Sequence, residues 1–247
     1  MNIHGIIFDL NGTLIDIHTD EVHGEIYRVL ANLLSYQGIL LTPETLRDRY
    51  FQIMKEQRRA STETYPEFDA VSIFETIIFR HASDFTRALP PGKRRQLPLF
   101  LAEVFRAVSR FRLRLYPGVE ETLATLQGRY RLAALTDAQN AWAIPELHAV
   151  GLLDLFSPVV VSGDLGFRKP DPRIFQQTLD DLEMLPDEVL FVGNDMYRDV
   201  YGAQQLGLKT IFFRSNQGEQ QRDGVEPDYI IYQFPELLQA IEFFRHG

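Results

Sequence analysis

The feature that most constrains this chain is an alternation that begins at Tyr116-Pro117-Gly118. Short β-rich apolar runs at Arg131 to Leu135, Pro158 to Val161, Val189 to Val192, Lys209 to Phe213 and Tyr229 to Tyr232 read as strands. Stretches of helical period separate them: Val119 to Leu126, Ala141 to Val150, Asp171 to Leu182, Asp199 to Leu206 and Pro235 to Phe244. Gly151 and Gly207 close two of these helices, and Pro172 opens another. Near the N-terminus, Ile3 to Leu10 predicts one more strand, whose apolar run Ile6-Ile7-Phe8 empties into the polar cluster Asp9-Leu10-Asn11-Gly12-Thr13. Strands parted by helices of this length form a parallel sheet covered on both faces. The expected fold class is therefore α/β, a doubly wound parallel sheet.

Between Asp16 and Leu115 the texture changes. Helical periodicity runs over Glu21 to Tyr36, Thr42 to Arg59, Asp69 to Phe85 and Arg94 to Phe111. Thr42-Pro43 supplies a cap residue followed by a proline at the first helical position. No convincing strand is read here. The pattern predicts an all-helical insert of about four helices. The expected division is a core of residues 1–15 and 116–247 with a helical unit of residues 16–115 inserted into it. The Phe and Leu residues of the insert, and Trp142, read as packing residues.

Composition sets outer limits. Hydrophobic residues make up 45% and charged residues 24%, which suits a soluble globular protein with a substantial core. Cysteine is absent, so disulfides, thiolate metal sites and cysteine nucleophiles are excluded. The formal net charge of -9 makes nucleic acid an unexpected partner. No basic leader precedes an apolar run, and no apolar run approaches bilayer length, so a cytoplasmic setting without membrane contact is expected. An anionic substrate must then meet a local positive site. A monomer and a homodimer are both compatible with the sequence.

In a parallel α/β sheet, ligands bind outside the carboxyl ends of the strands. The residues at those exits are Asp9, Thr136-Asp137, Arg168-Lys169-Pro170, Asn194-Asp195 and Asp199. A carboxylate can act as nucleophile and hold a hard cation. A second acid from another strand can complete an oxygen-rich magnesium site. A hydroxyl and an ammonium can bind the equatorial oxygens of a transferring phosphoryl group.

These residues stand in four ordered motifs. Phe8-Asp9-Leu10-Asn11-Gly12-Thr13-Leu14 resembles the first motif of the haloacid dehalogenase superfamily, usually Asp-x-Asp-Gly-Thr-Leu in its phosphatases. Leu135-Thr136-Asp137 fits the second, Gly166 to Phe175 the third, and Phe191-Val192-Gly193-Asn194-Asp195 through Ala203 the fourth. The insert is similar to the helical cap of that superfamily. The resemblance implies a Rossmann-like core and a magnesium-dependent phosphatase of a small phosphorylated metabolite, working through an aspartyl-phosphate on Asp9. It implies that Thr136, Asp137 and Lys169 meet the phosphoryl group, and that Asp9, the Asn11 carbonyl and an acid of the fourth motif hold Mg²⁺. Thr13 and Asp199 would support these residues. Cap opening would hinge near Asp16 and near Leu115 to Gly118.

Two positions depart from the pattern. Asn11 stands where the phosphatases carry an acid–base aspartate, and an amide cannot exchange a proton at useful pH. In the fourth motif either Asn194 replaces the metal-binding acid or Asp195 is that acid; Asp195 is the preferred reading. Two other readings therefore stand beside the phosphatase. Metal-independent hydrolysis of a carbon–halogen bond needs no acid at residue 11, although Thr136-Asp137 looks phosphatase-like and the dehalogenases usually carry an aromatic residue in place of Asn11. A phosphate-binding regulatory protein without useful turnover is the third. Structural readings exist for the same residues: Asn11-Gly12 suits a turn, Thr136 and Asp199 suit helix caps, and Arg58-Arg59 and Lys93-Arg94-Arg95 suit solvated faces. His18, His23 and His81 read as surface or packing residues.

Overall fold

The computed structural model describes residues 1–246. The elements in chain order begin with strand β1 (Gly5–Phe8) and strand β2 (Ile15–Thr19). Five helices follow: α1 (Gly24–Ser35), α2 (Pro43–Ala60), α3 (Ala70–His81), α4 (Asp84–Ala88) and α5 (Pro91–Ser109). Next come β3 (Arg110–Leu115), α6 (Val119–Leu126), β4 (Arg131–Thr136), α7 (Asn140–Ala149), β5 (Val159–Val161) and the short α8 (Ser162–Leu165). The chain continues through α9 (Pro172–Leu182), β6 (Val189–Gly193), α10 (Gly202–Gln204), β7 (Lys209–Phe213), β8 (Tyr229–Ile231) and α11 (Leu237–His246).

Six strands pair in parallel in the order β5-β4-β1-β6-β7-β8. The strand order reverses beside β1, and the ends of β4, β1 and β6 lie next to one another at that switch point, where such sheets bind ligands. Ile6, Phe8, Ala134 and Val192 pack into one face of the core, and Ile7, Ala133, Leu135 and Phe191 into the other. Both faces are thus buried by helices, which is why these strands read as continuous apolar runs.

The insert differs from its expectation in three ways. It contains strands: β2 and β3 pair antiparallel, with Ile15 opposite Leu115 and Ile17 opposite Leu113. Arg110–Leu115 alternates arginine with an apolar residue, a strand period that the helical reading of Arg94 to Phe111 runs into. Asp16, expected near a hinge, is buried and paired at 2.9 Å with both Arg112 and Arg114. The two linkers are therefore bound to each other as a ribbon. The third helix ends at His81, and Ser83 starts a separate one with a capping box to Thr86. That makes five insert helices.

The insert has its own apolar cluster, with Tyr27, Tyr50, Phe74 and Phe105 fully buried. Trp142 of α7 also belongs to this cluster, and its Nε1 donates to Ala102 O at 2.9 Å. Two turns of α5 and α7 are further joined by a buried, two-pronged Arg106–Glu146 pair at 2.7 and 3.2 Å. No helix among the described residues is long and apolar enough to cross a membrane.

Candidate active site

Asp9 leaves β1 with its backbone N–H bonded to Val192 O of β6, which fixes the carboxylate above the sheet. Lys169 Nζ lies 2.6 Å from Asp9 Oδ1 and 2.6 Å from Asp199 Oδ1, and all three side chains are buried. Two carboxylates thus share one ammonium. Burial works against the Lys169 charge, but Asp199 and Asp9 outweigh it and raise its pKa above the usual lysine range. The Asp199 carboxyl is pushed up to about 6, by burial and by the like charge of Asp9, against the pull of Lys169.

Asp199 also accepts the backbone N–H groups of Asn194 and Asp195 at 2.9 and 3.0 Å. This needs Gly193: a Cβ there would stand 2.5 Å from Asp199 atoms. Of the two roles that suit Asp199, supporting residue and helix cap, the first is seen in its bond to Lys169; the cap is Asp195, whose side chain accepts from Tyr197 N and Arg198 N. The helix starts at Met196, three residues earlier than expected, with a π-helical turn over Met196–Tyr201.

Asp195, the preferred acid for a metal in the fourth motif, has both carboxylate oxygens engaged by protein donors. Its oxygens accept from two cap amides, from Arg198 Nε at 3.0 Å and Nη2 at 2.9 Å, and from Glu219 N at 3.0 Å. Burial opposes ionisation, but Arg198 and these amides hold its carboxyl below the usual carboxylate range. The residue joined to Asp9 is Asn194. Thr13 Oγ1 sits 2.9 Å from Asp9 Oδ2 and 3.0 Å from Asn194 Oδ1. A hydroxyl has one proton, and the carboxylate is the stronger acceptor. Asn194 Nδ2, meanwhile, is buried without a partner. The amide turned by half a rotation donates to Thr13 and presents its oxygen beside Gly12. Gly12 is obligatory there: its φ is +92°, and a Cβ would lie 2.3 Å from the Asn194 amide.

Thr136 ends β4 with its hydroxyl buried and unpartnered. It caps nothing, since Gln139 is the residue before α7. Asp137 Oδ1 accepts the Lys169 backbone N–H at 3.0 Å, tying the second and third motifs together. Its other oxygen is buried without a hydrogen bond, 3.9 Å from Arg198 Nη1, and burial raises its pKa despite Lys169 and Arg198.

Asn11, Asp137 and Asn194 open onto a cavity of about 280 Å³. Ile17, Glu21, Glu67, Phe68, Arg106 and Trp142 form much of its far wall, with Arg168 and Arg198 beside the sheet. The insert closes over it through backbone bonds, Glu67 N to Gly166 O at 2.9 Å and Arg168 N to Tyr65 O at 3.0 Å. Gln139 adds two more contacts, to Phe68 O at 2.6 Å and from Ala70 N at 2.9 Å. Ser162 Oγ donates to Glu67 Oε2 at 2.8 Å and accepts from Ala138 N at 3.0 Å. Gln139, Arg198 and Glu67 were not singled out from sequence. Gln139 and Arg198 stand beside or inside the motifs and could have been noted. Glu67 meets Ser162 only through tertiary folding. His18, His23 and His81 do not line the cavity, nor do Arg58-Arg59 or Lys93-Arg94-Arg95.

The fold and rim define an α/β enzyme whose centre is a buried carboxylate–ammonium–carboxylate cluster at the sheet's switch point. A model of the haloacid dehalogenase-like hydrolases matches residues 3–207, and the chain belongs to that family. It is 27% identical to a glyceraldehyde 3-phosphate phosphatase of Pyrococcus furiosus, over 96% of this chain and 92% of that one. It is 28% identical to a phosphoglycolate phosphatase of Agrobacterium fabrum, over 95% and 91%. Among solved structures, a 2-haloacid dehalogenase from Pseudomonas syringae superposes with a TM-score of 0.70 at 22% identity, covering 98% of this chain and 99% of that one. A HAD phosphatase from Thermococcus onnurineus gives 0.59 at 22% identity, covering 97% and 98%.

Proposed function

We propose that this chain hydrolyses the phosphate ester of a small metabolite, with Asp9 as nucleophile. An Asp9 oxygen attacks phosphorus, the ester P–O bond breaks, and the phosphoryl group is left on Asp9. Water then attacks phosphorus, releasing phosphate and restoring the carboxylate. Lys169 offsets the repulsion between two anions and binds phosphoryl oxygens. The observation that carries the reading is Thr136: a buried hydroxyl with no protein partner, at the strand exit beside Asp9. A phosphoryl oxygen gives it one. Two full-length relatives named as phosphatases support the same reading.

A hard cation would be held by Asp9, by the Asn11 backbone carbonyl that the resemblance assigns, and by the Asn194 amide oxygen. These are the oxygen donors that magnesium takes. The unpartnered Asn194 amide fits that use, although only one of the three donors carries a charge. Among the described residues no three acid or histidine side chains are grouped to hold a metal. The cation, when bound, would neutralise developing charge on the phosphoryl oxygens.

Asn11 cannot pass a proton to the leaving oxygen or take one from water, steps worth about 100- to 10,000-fold. Turnover is therefore slow, and esters with acidic leaving groups suffer least. The test is hydrolysis of an aryl phosphate with and without magnesium, in the native protein and in Asn11→Asp. Metal-dependent activity that rises in the variant is expected; an inert variant on a broad phosphate panel sinks the reading.

Amides at both residue 11 and residue 194 favour a second reading, hydrolysis of a carbon–halogen bond. A halide leaves without a proton, and no acidic metal ligand is needed. Halide release from haloacids without metal would establish it.

A further inference from the structure

Lys169 is matched by Asp9 and Asp199, Arg106 by Glu146, and Arg198 by Asp195. Arg168 is different. It lines the cavity, yet its guanidinium has no hydrogen-bond or ion-pair partner among the described residues. Its backbone is pinned on both sides, by Tyr65 O on its N–H and by Asp171 N on its carbonyl. The backbone one residue before Lys169 is thus fixed, while the guanidinium at the cavity wall keeps all its donors for a substrate anion. Its planar fork suits a carboxylate, which it can grip with two parallel N–H bonds.

We infer that the substrate carries a carboxylate a few bonds from its phosphate, and that Arg168 recognises it. The inference rests on the phosphatase reading and narrows its substrate class to phosphorylated hydroxy acids. Cavity size agrees: about 280 Å³ lies at the lower edge of the roughly 300–1,000 Å³ of ordinary ligand pockets. The acids on the far wall select a singly charged group over a second phosphoryl. Glu21 stands 4.0 Å from Arg106, and Glu67 is held by Ser162 Oγ and Phe68 N. A dianion would meet more repulsion there than a carboxylate.

The experiment compares two non-hydrolysable probes, 3-phosphonopropanoate and 3-hydroxypropylphosphonate, which differ only in the carboxylate. Binding is measured by calorimetry with magnesium present. A charged two-pronged contact predicts that the native protein prefers the carboxylate by on the order of tenfold to a hundredfold. Arg168→Ala should abolish the preference, and Arg168→Lys should restore only part of it. Equal affinities in the native protein, no binding of either probe, or a preference that survives in Arg168→Ala overturns the inference. Aryl phosphate hydrolysis by the same native sample separates the two levels. Hydrolysis without the preference sinks only the role of Arg168. The preference without hydrolysis, even in Asn11→Asp, sinks the phosphatase.

Discussion

Lys169 holds Asp9 at 2.6 Å in a setting where only 2% of the lysine side chain reaches solvent. Its ammonium is what allows Asp9 and Asp199 to lie buried near each other as anions. Replacing it by Met should lower kcat/KM for an aryl phosphate by about 10²- to 10³-fold, the usual cost of losing one group that stabilises transition-state charge. Leaving two carboxyls buried without a cation should also destabilise the fold by about 3–5 kcal/mol. Steady-state kinetics and denaturant melts of Lys169→Met check both. A loss of activity under tenfold would contradict the role.

Asp199 gives a pH signature. Its folded pKa, about 6, lies above the ordinary 3.8. The folded state therefore holds this proton more tightly than the unfolded chain. The stability it contributes is complete below about pH 4 and is lost as pH rises through about 6. Asp199→Asn lacks this proton. Relative to the native protein, the variant should gain up to about 3 kcal/mol between those limits, whatever constant offset the amide introduces. Urea unfolding of both proteins from pH 4 to 7 checks the difference.

Asn194→Asp should tighten magnesium. It places a second carboxylate beside Asp9, through the Thr13 hydroxyl that already touches both residues. At least a tenfold gain in affinity, about 1.4 kcal/mol, is expected from calorimetry. Asp195→Asn should leave magnesium affinity nearly unchanged and cost stability, because its partners are Arg198 and backbone amides.

The contact between α5 and α7 should resist opening of the insert. Arg106 and Glu146 are buried together, with the guanidinium 5.1 Å from the Trp142 ring. Each single alanine variant should cost up to about 3–5 kcal/mol, because it leaves a buried charge with only a long contact, Glu146 to Arg110 at 3.8 Å or Arg106 to Glu21 at 4.0 Å. The double variant should cost clearly less than the sum. Denaturant melts of the four proteins supply the cycle; strict additivity would contradict the coupling.

The parallel core was legible because its strands are apolar runs, each closed by a polar exit, and Lys209–Phe213 matched its span residue for residue. Lys169 and Asp9 stand 160 positions apart, yet the shared rim of strand exits in a parallel sheet predicts that they meet. What escaped were features decided by partners far away in sequence. The β2–β3 ribbon is short and continues directly from α5, and its pairing depends on Asp16 meeting Arg112 and Arg114 about 100 positions later. Asp195 and Asn194 are adjacent, and only the direction of each side chain separates a helix cap from a residue that meets Thr13 beside Asp9. Trp142 is a packing residue, as its type predicts, and it packs into the insert and not into the sheet.

The most direct test is the covalent state of Asp9. Asn11 impairs the water-attack step more than the departure of an acidic phenol, so phosphorylated Asp9 should accumulate during aryl phosphate turnover. Rapid mixing with magnesium and an aryl phosphate, acid quenching and peptide mass spectrometry should find one phosphoryl group per chain on the peptide containing Asp9. A phenolate burst of equal size should accompany it, and the modification should fade in Asn11→Asp. Turnover with Asp9 unmodified, or turnover that persists in Asp9→Asn, would contradict the central claim.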